Sequence, residues 1–478
     1  MNVNPITRLD YPDPDVIRVE DTYYMVSTTM HFMPGCEILQ SFDLVHWEHA
    51  TYVYETLDHT DAQQLKSGQN IYGQGMWAAS LRYHEGRFYI CFVANDTRKT
   101  YLYTSEKIDG PWKKQLIEGF YHDGSLLFDE DGRNYIVYGN DEIWITELNE
   151  DLTAPKKDGL HRLLVSDHKN PELGYEGSHI QKINGYYYIF LIHSLRDRWM
   201  RTEACFYSDS LEGEFTGGDV LCDDRGYCGQ GVAQGGIVDT PDGKWYAMLF
   251  QDSGAVGRIP ILVPVTWKDH FPFFGQNGHV PEEIEVHSTR PGYIYQPLVG
   301  SDDFCNGLLP RWQFNHDPDP RYYHLDALQG TYTITTREVC TELTQAVNTL
   351  TQRMSYPSCA AEVTVDASAL KEGDVAGLCA LQSCYAAVGI TKHHGKYEVL
   401  MLDKKEDGIL DMTEGTVVES HQMDFRLEAD FCNMKDEARC YYRVNKGDWL
   451  PIGTVHKLYF KLDHFTGCRF GLFAAGAE

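Results

Sequence analysis

The sequence predicts an all-β protein of two unlike parts, a five-bladed β-propeller followed by a β-sandwich. Two observations support this prediction: one hairpin design recurs five times in the first 297 residues, and a different alternating pattern fills the remainder. The composition agrees, because a chain with 31 Tyr, 21 Phe and 9 Trp is rich in the residues that favour strands.

Each repeated segment consists of a short apolar stretch, a tight turn and an aromatic stretch. Turn pairs such as Asn-Gly and Asp-Gly supply the positive φ angles that two-residue hairpins need. The segments recur at roughly 55 residues, about the length of one four-stranded blade. Residues 1–297 are therefore predicted to form the propeller. The residues expected to open the innermost strands are Asp13, Trp77, Asp123, Glu176 and Gln234.

Beyond residue 297 the pattern changes. Segments such as 331–335 and 457–462 alternate apolar and polar residues, which is typical of strands with one buried face. About a dozen such strands without helical segments between them predict a β-sandwich over residues 298–478.

Composition also excludes several classes of protein. There are 41 Lys and Arg against 70 Asp and Glu, a net charge of −29, and no basic run occurs. This argues against nucleic acid or an anionic membrane as a partner. The 13 cysteines form no CxxC pair, and we expect reduced thiols. The first residues do not resemble a signal peptide, so we expect a cytoplasmic protein. The oligomeric state does not follow from the sequence.

Three of the five residues that open the innermost strands are acids: Asp13, Asp123 and Glu176. Converging carboxyl groups suit glycoside hydrolysis, in which one acid protonates the leaving oxygen and a second activates water or attacks. A third negative charge keeps the donor protonated. The alternative for the two aspartates is a turn role, because each is followed by Pro or Gly.

Two further side chains are candidates for this site. Trp77 is suited to stacking on a sugar ring. Arg258 follows two nearby glycines in Gly254-Ala-Val-Gly-Arg258. It is predicted either to enter the site, where it would bond sugar hydroxyls or orient a carboxylate, or to form a surface salt bridge.

These motifs resemble those of glycoside hydrolase family 43, and more specifically its β-xylosidase and α-L-arabinofuranosidase members. The resemblance extends over nearly the whole chain. In the first part it rests on Tyr11-Pro-Asp-Pro-Asp15, Trp77-Ala78, His122-Asp123-Gly-Ser-Leu126 and Tyr175-Glu-Gly-Ser-His-Ile180. In the second part it rests on Asp302-Asp-Phe304 and Thr344-Gln-Ala346.

The resemblance implies an inverting exo-glycosidase that releases xylose or arabinose from short oligosaccharides. The resemblance implies that Asp13 is the general base and that Glu176 is the general acid. It implies that Asp123 raises the pKa of this acid. The resemblance also implies that Phe32 and Trp77 line the sugar subsite and that Arg258 touches the sugar.

The sequence departs from this family in two places. Many relatives place a histidine of the fifth blade near the axis, where it helps to hold a cation; Gln234 has that place here, and we expect it to contact substrate. No cofactor is required by this interpretation and no metal ligand is predicted, although an amide oxygen leaves room for a structural Ca²⁺ in the central channel. Relatives usually run on through one more sandwich strand. We expect either that the domain closes differently here or that the sequence lacks its natural end, and a missing strand would expose an edge.

Two other functions remain open from sequence. One is a related five-bladed fructan-type glycosidase, which retains configuration and is distinguished by the anomer of its product. The other is a non-catalytic carbohydrate-binding propeller. Intact acids at all three positions argue against the second alternative.

Overall fold

Five antiparallel sheets follow one another along the first part of the chain in this computed structural model, which describes residues 1–477. Four of the sheets have four strands each, and the fifth has five. Their first strands contact one another around a central axis. The predicted five-bladed propeller is therefore confirmed.

The strands of each blade run from the axis outward. Blade 1 contains β1 (Asp15–Val19), β2 (Thr22–Val26), β3 (Gly35–Ser41) and β4 (Glu48–Tyr54). Blade 2 contains β5 (Met76–His84), β6 (Arg87–Ala94), β7 (Lys99–Ser105) and β8 (Lys113–Ile117). Blade 3 contains β9 (Ser125–Phe128), β10 (Asn134–Asn140), β11 (Glu142–Leu148) and β12 (His161–Ser166). Blade 4 contains β13 (Glu176–Ile183), β14 (Tyr186–Ser194), β15 (Arg201–Ser208) and β16 (Thr216–Leu221). Blade 5 contains β17 (Val232–Ala233), β18 (Ile237–Asp239), β19 (Trp245–Asp252), β20 (Arg258–Lys268) and β21 (Phe271–Phe274).

The turn between the first two strands of a blade has the chemistry that the sequence indicates. In blade 4 the turn is Asn184-Gly185, and both residues have positive φ, 51° and 84°. This is the geometry of a two-residue hairpin whose twist matches that of its strands. The aromatic strand that follows is buried, as in Tyr187, Tyr188 and Phe190 of β14. Each blade thus buries its second strand between its neighbours.

The second part of the chain is a β-sandwich, as predicted. One sheet contains β22 (Gln313–Phe314), β25 (Leu350–Arg353), β27 (Val375–Leu381), β28 (Tyr385–His393), β29 (Lys396–Lys404), β30 (Leu410–Met412), β31 (Thr416–Val418) and β35 (Arg469–Ala475). The facing sheet contains β26 (Ser358–Asp366), β32 (Gln422–Asp430), β33 (Glu437–Arg443) and β34 (Leu450–Lys457). A separate hairpin contains β23 (Tyr323–Asp326) and β24 (Thr331–Ile334).

The described residues contain three short 3₁₀ turns, at Lys66–Gly68, Leu343–Gln345 and Cys432–Met434. None of the helical segments in residues 1–477 is long and apolar enough to cross a membrane. All 13 cysteines are free thiols in the structure.

The last strand of the sandwich, β35, does not lie at an exposed edge of its sheet. β35 lies in the middle of its sheet, paired with β25 on one side and with β27 on the other. Its backbone groups are therefore bonded on both sides, and β35 exposes no edge.

Backbone hydrogen bonds and a buried ion pair connect the two domains. Met33 of the propeller and Phe314 of β22 exchange backbone hydrogen bonds. Arg353 of β25 crosses the same interface, where its Nη1 lies 2.8 Å from Glu37 Oε2 and its Nε donates to the carbonyl of Asp10 at 2.8 Å. Its guanidinium also lies 4.1 Å from the ring centroid of Tyr11. Glu37 and Arg353 are both buried.

Replacing Arg353 with Met (R353M) removes the cation and leaves Glu37 buried with one histidine partner, His49. Breaking one side of a buried ion pair costs about 3–5 kcal/mol, so we expect the free energy of unfolding to fall by about that amount. Denaturant unfolding followed by tryptophan fluorescence measures this change. The double variant R353M/Glu37→Gln is the control, and it should recover part of the loss; a double variant no more stable than R353M would contradict this account.

Candidate active site

The three predicted acids lie at the same end of the innermost strands of blades 1, 3 and 4. Asp13 precedes β1 by two residues, Asp123 precedes β9 by two residues, and Glu176 is the first residue of β13. Asp13 and Asp123 are buried, and Glu176 is partly exposed. The structure therefore brings the three acids together at one mouth of the propeller.

Asp13 is held by two donors. Thr28 Oγ1 donates to Oδ2 at 2.5 Å, and Arg258 Nη1 donates to Oδ1 at 2.7 Å. The contact with Arg258 is a buried ion pair. Both oxygens are thereby fixed in position, as a group that must orient a water molecule requires.

Asp123 and Glu176 share a third side chain, His122, which the sequence analysis did not assign to the site. Its Nε2 lies 3.3 Å from Glu176 Oε2 and 3.4 Å from Asp123 Oδ2. Glu176 Oε2 also accepts a hydrogen bond from Asn140 Nδ2 at 2.9 Å, and Asp123 Oδ2 accepts one from the Gly177 amide at 2.9 Å. The two carboxyl groups are thus coupled through one imidazole.

This arrangement separates the pKa values of the three groups. Burial raises the pKa of Asp123 to about 6, against the opposing charge of His122. Burial acts in the same direction on Glu176, but the hydrogen bond and charge of His122 outweigh it and lower its pKa. Burial lowers the pKa of His122, yet the two carboxylates outweigh it and raise this pKa to about 9. His122 is therefore the group that opposes the effect of burial at both acids, and at Glu176 its effect is the larger.

Arg258 occupies a buried position, which excludes its surface salt-bridge alternative. Besides Asp13 it contacts Asp252, whose Oδ1 lies 3.3 Å from Nε. Its guanidinium lies between two rings, 4.6 Å from the centroid of Phe250 and 3.8 Å from that of Phe465. Its contact with Asp13 fits one of the two roles considered for it inside the site, the orientation of a carboxylate, and its predicted contact with a sugar stays a prediction.

Phe465 belongs to the sandwich, and the sequence analysis did not identify it. The segment before β35 reaches the mouth of the propeller, where the Phe465 ring meets the ring of Trp77 edge to face at 5.2 Å. It therefore lies between blade 2, which supplies Trp77, and blade 5, which supplies Arg258. The sequence carries no local signal for this contact, because 388 positions separate Phe465 from Trp77.

Phe32 and Gln234 lie deeper than Trp77. Phe32 is 2% exposed, and the Arg469 guanidinium covers one face of its ring at 3.4 Å. Gln234 is also buried and packs against Gly177, where an added Cβ would lie 2.6 Å from the Gln234 side chain. Both residues support the walls of the site, and their predicted contact with a sugar stays a prediction.

Among residues 1–477, one set of histidine and carboxylate atoms lies close enough together to share an ion. It consists of His122, Asp123 and Glu176, whose ligand atoms lie within 4.8 Å of one another. Two of them are the acids expected to take part in catalysis, so a metal ion there would occupy oxygens that the reaction needs.

Comparisons with known proteins agree with this site. The model of the Glycosyl hydrolases family 43 matches residues 3–272, more than half of the chain. The model of the Beta xylosidase C-terminal Concanavalin A-like domain matches residues 301–478. The fold and the converging acids define a glycoside hydrolase. The chain belongs to glycoside hydrolase family 43, whose members invert the configuration of the sugar they release.

Similar proteins extend over nearly the whole chain. A beta-xylosidase of Formosa agariphila is 26% identical, covering 99% of this chain and 87% of its own length. A non-reducing end alpha-L-arabinofuranosidase of Bacteroides ovatus is 24% identical, covering 86% and 79%. The structure of a bifunctional GH43-CE protein of Bacteroides eggerthii has a TM-score of 0.92 at 42% identity. It covers all of this chain, which spans 62% of that protein's length.

Replacing His122 with Gln (H122Q) removes a cation that lies beside both carboxyl groups. An opposite charge at this distance lowers a carboxyl pKa by about 1–3 units, so its removal should raise the pKa of the acid. The alkaline limb of kcat/KM, which reports the essential acid of the free enzyme, should then move to higher pH. The pH profile of hydrolysis of an aryl glycoside measures this shift.

Asn140→Ala is the matched control, because it removes a hydrogen bond to the same Glu176 oxygen without removing a charge. We expect its alkaline limb to move less than that of H122Q. Equal shifts in the two variants, or a downward shift in H122Q, would contradict a charge effect of His122.

Proposed function

We propose that this chain is an exo-acting glycosidase that releases xylose or arabinose from the non-reducing ends of short xylo- or arabinoxylo-oligosaccharides. Its activity would be that of a β-1,4-xylosidase, an α-L-arabinofuranosidase, or both. The named activities of the two curated relatives support this pair of sugars. Both sugars present similarly placed hydroxyls, so one pocket suits both.

The observation that carries the exo-acting mode is the position of Phe465. This ring comes from the sandwich and packs on Trp77 and Arg258, one on each side of the mouth. A second domain that covers the mouth favours a pocket that takes the end of a chain. An open groove, as an endo-acting enzyme needs for binding a polymer along its length, would leave this place free.

The reaction follows from the places of the three acids. Asp13, with both oxygens fixed by Thr28 and Arg258, accepts a proton from water as the water oxygen attacks the anomeric carbon. Glu176 gives its proton to the glycosidic oxygen as the bond between that oxygen and the anomeric carbon breaks. Asp123 lies against the same His122 nitrogen as Glu176, and its negative charge would favour the protonated form of the acid.

The free thiols support a reducing compartment. Disulfides form and persist in oxidising compartments, and 13 free cysteines fit the cytoplasm. We infer that the substrates are short oligosaccharides that the cell has imported.

Proton NMR of the anomeric signals during digestion of xylobiose tests this function. Inversion at a β-xyloside gives α-xylose in the first minutes, before mutarotation mixes the anomers. Early β-xylose would contradict an inverting mechanism. A reaction on an aryl α-L-arabinofuranoside without any on xylobiose would restrict the enzyme to arabinose, and no reaction on either substrate would overturn the proposal.

Glu176→Ala removes the general acid. We expect hydrolysis of xylobiose to fall by about 10²–10⁴-fold, the usual contribution of general acid catalysis. An aryl xyloside with a good leaving group needs little protonation and should keep most of its rate. Steady-state kinetics on the two substrates measure this difference, and equal losses on both would argue against the acid role.

Asp13→Ala removes the base, and water activation is needed whatever the leaving group. We therefore expect both substrates to lose activity to a similar extent, by at least about 10²-fold. The same pair of assays checks this result. Substantial residual activity on either substrate would remove Asp13 from the role of base.

A further inference from the structure

Arg82 of β5 extends across the axis of the propeller and contacts the innermost strands of three other blades. Its Nη1 donates to Asp15 Oδ2 of blade 1 at 2.9 Å. Its Nη2 donates to Ser125 Oγ of blade 3 at 2.7 Å and to the Ile180 carbonyl of blade 4 at 3.2 Å. Its Nε donates to the Leu126 carbonyl at 2.9 Å. One side chain therefore links four of the five blades.

The contacted strands are those that carry the three acids. Asp15 lies two residues after Asp13, and Ser125 lies two residues after Asp123. Ile180 lies four residues after Glu176 in β13. A movement of Arg82 would change the relative positions of all three strands, and the acids lie directly before or at their first residues.

The centre of the axis already has a balanced pair of charges. Asp15 is buried, and its second oxygen lies 3.0 Å from His179 Nδ1. Burial raises the pKa of Asp15, but the charges of Arg82 and His179 outweigh it and lower the pKa. The carboxylate is thus ionised at neutral pH and is paired with a permanent guanidinium cation.

Calcium does not fit this arrangement. A Ca²⁺ ion needs six to eight oxygen ligands, and the oxygens of Asp15, Ser125, Leu126 and Ile180 at the axis already accept hydrogen bonds from Arg82. A divalent ion would have to displace a cation that makes five hydrogen bonds, the fifth to the carbonyl of Leu81. Gln234, the residue considered as a calcium ligand from sequence, packs against Gly177 instead.

We propose that Arg82 is the axial cation of this propeller and a positioning residue for catalysis, so that the enzyme needs no calcium. The guanidinium ties together the strands that hold Asp13, Asp123 and Glu176 and fixes the distances between the acids. This inference rests on the proposed roles of the three acids. Its tests compare each variant with the wild-type rate, so an inactive wild type would refute the proposed function and not the role of Arg82.

The first test is metal content and chelation of the full chain. After dialysis against EGTA we expect less than one-tenth of a calcium ion per chain by elemental analysis. The rate and the melting temperature should be unchanged, and added calcium should not raise either. One bound calcium per chain whose removal lowers the rate would overturn the proposal.

The second test is Arg82→Lys, which keeps the charge and the pairing with Asp15 but has too few donors for all four contacts. We expect kcat to fall by at least about tenfold while KM changes by less than about threefold, because the acids shift and the sugar-binding walls do not. Arg18→Lys is the matched control, since Arg18 also joins two blades, through Asp239, but lies partly exposed. It should keep the wild-type kcat.

The third test is Arg82→Ala with chemical rescue. Guanidinium chloride at a few millimolar, far below denaturing concentrations, should restore part of kcat, whereas equal sodium chloride should not. If Arg82→Ala does not fold, Arg82→Lys decides alone. A wild-type kcat in Arg82→Lys, or a folded Arg82→Ala that guanidinium does not rescue, would contradict the positioning role.

Discussion

The rest of this molecule depends on one constraint, which is that like charges converge where the innermost strands meet. Asp13, Asp15, Asp123 and Glu176 all lie near one axis, and unpaired carboxylates cannot be buried side by side. The fold meets this constraint with cations from different blades. Arg258 pairs with Asp13, Arg82 pairs with Asp15, and His122 lies between the last two acids. Each pairing also fixes the geometry that catalysis needs.

The second domain contributes side chains to the site in the first domain. Phe465 packs against Arg258 and Trp77 at the mouth of the propeller, and Arg469 lies over Phe32. Arg353 carries a buried charge across the interface to Glu37. Because these contacts are buried and charged, the two domains form one unit in which the sandwich helps to shape the pocket.

The sequence was informative where structure is local. Hairpin turns such as Asn184-Gly185 predicted the blades, and the residues that open the blades included all three acids. The residues that sequence reasoning missed act over long distances: Phe465 and Arg82 meet their partners only once the blades and domains have assembled. His122 belongs to a motif that the sequence analysis used. Its role could not be predicted, however, because the sequence does not show that Glu176 lies beside both His122 and Asp123. For Arg258 the sequence allowed either a place in the site or a surface salt bridge. Its burial between two aromatic rings excludes the surface salt bridge.

The place of β35 has a consequence for the synthesis of the enzyme. This strand lies between β25 and β27, and the segment just before it carries Phe465. The ribosome makes β25 and β27 roughly a hundred residues before the strand that must separate them. The propeller, made first, can assemble its acids while the nascent sandwich still lacks its central strand. The pocket closes only when the last strand is inserted, so a chain that stops early carries the acids but has no cover over them.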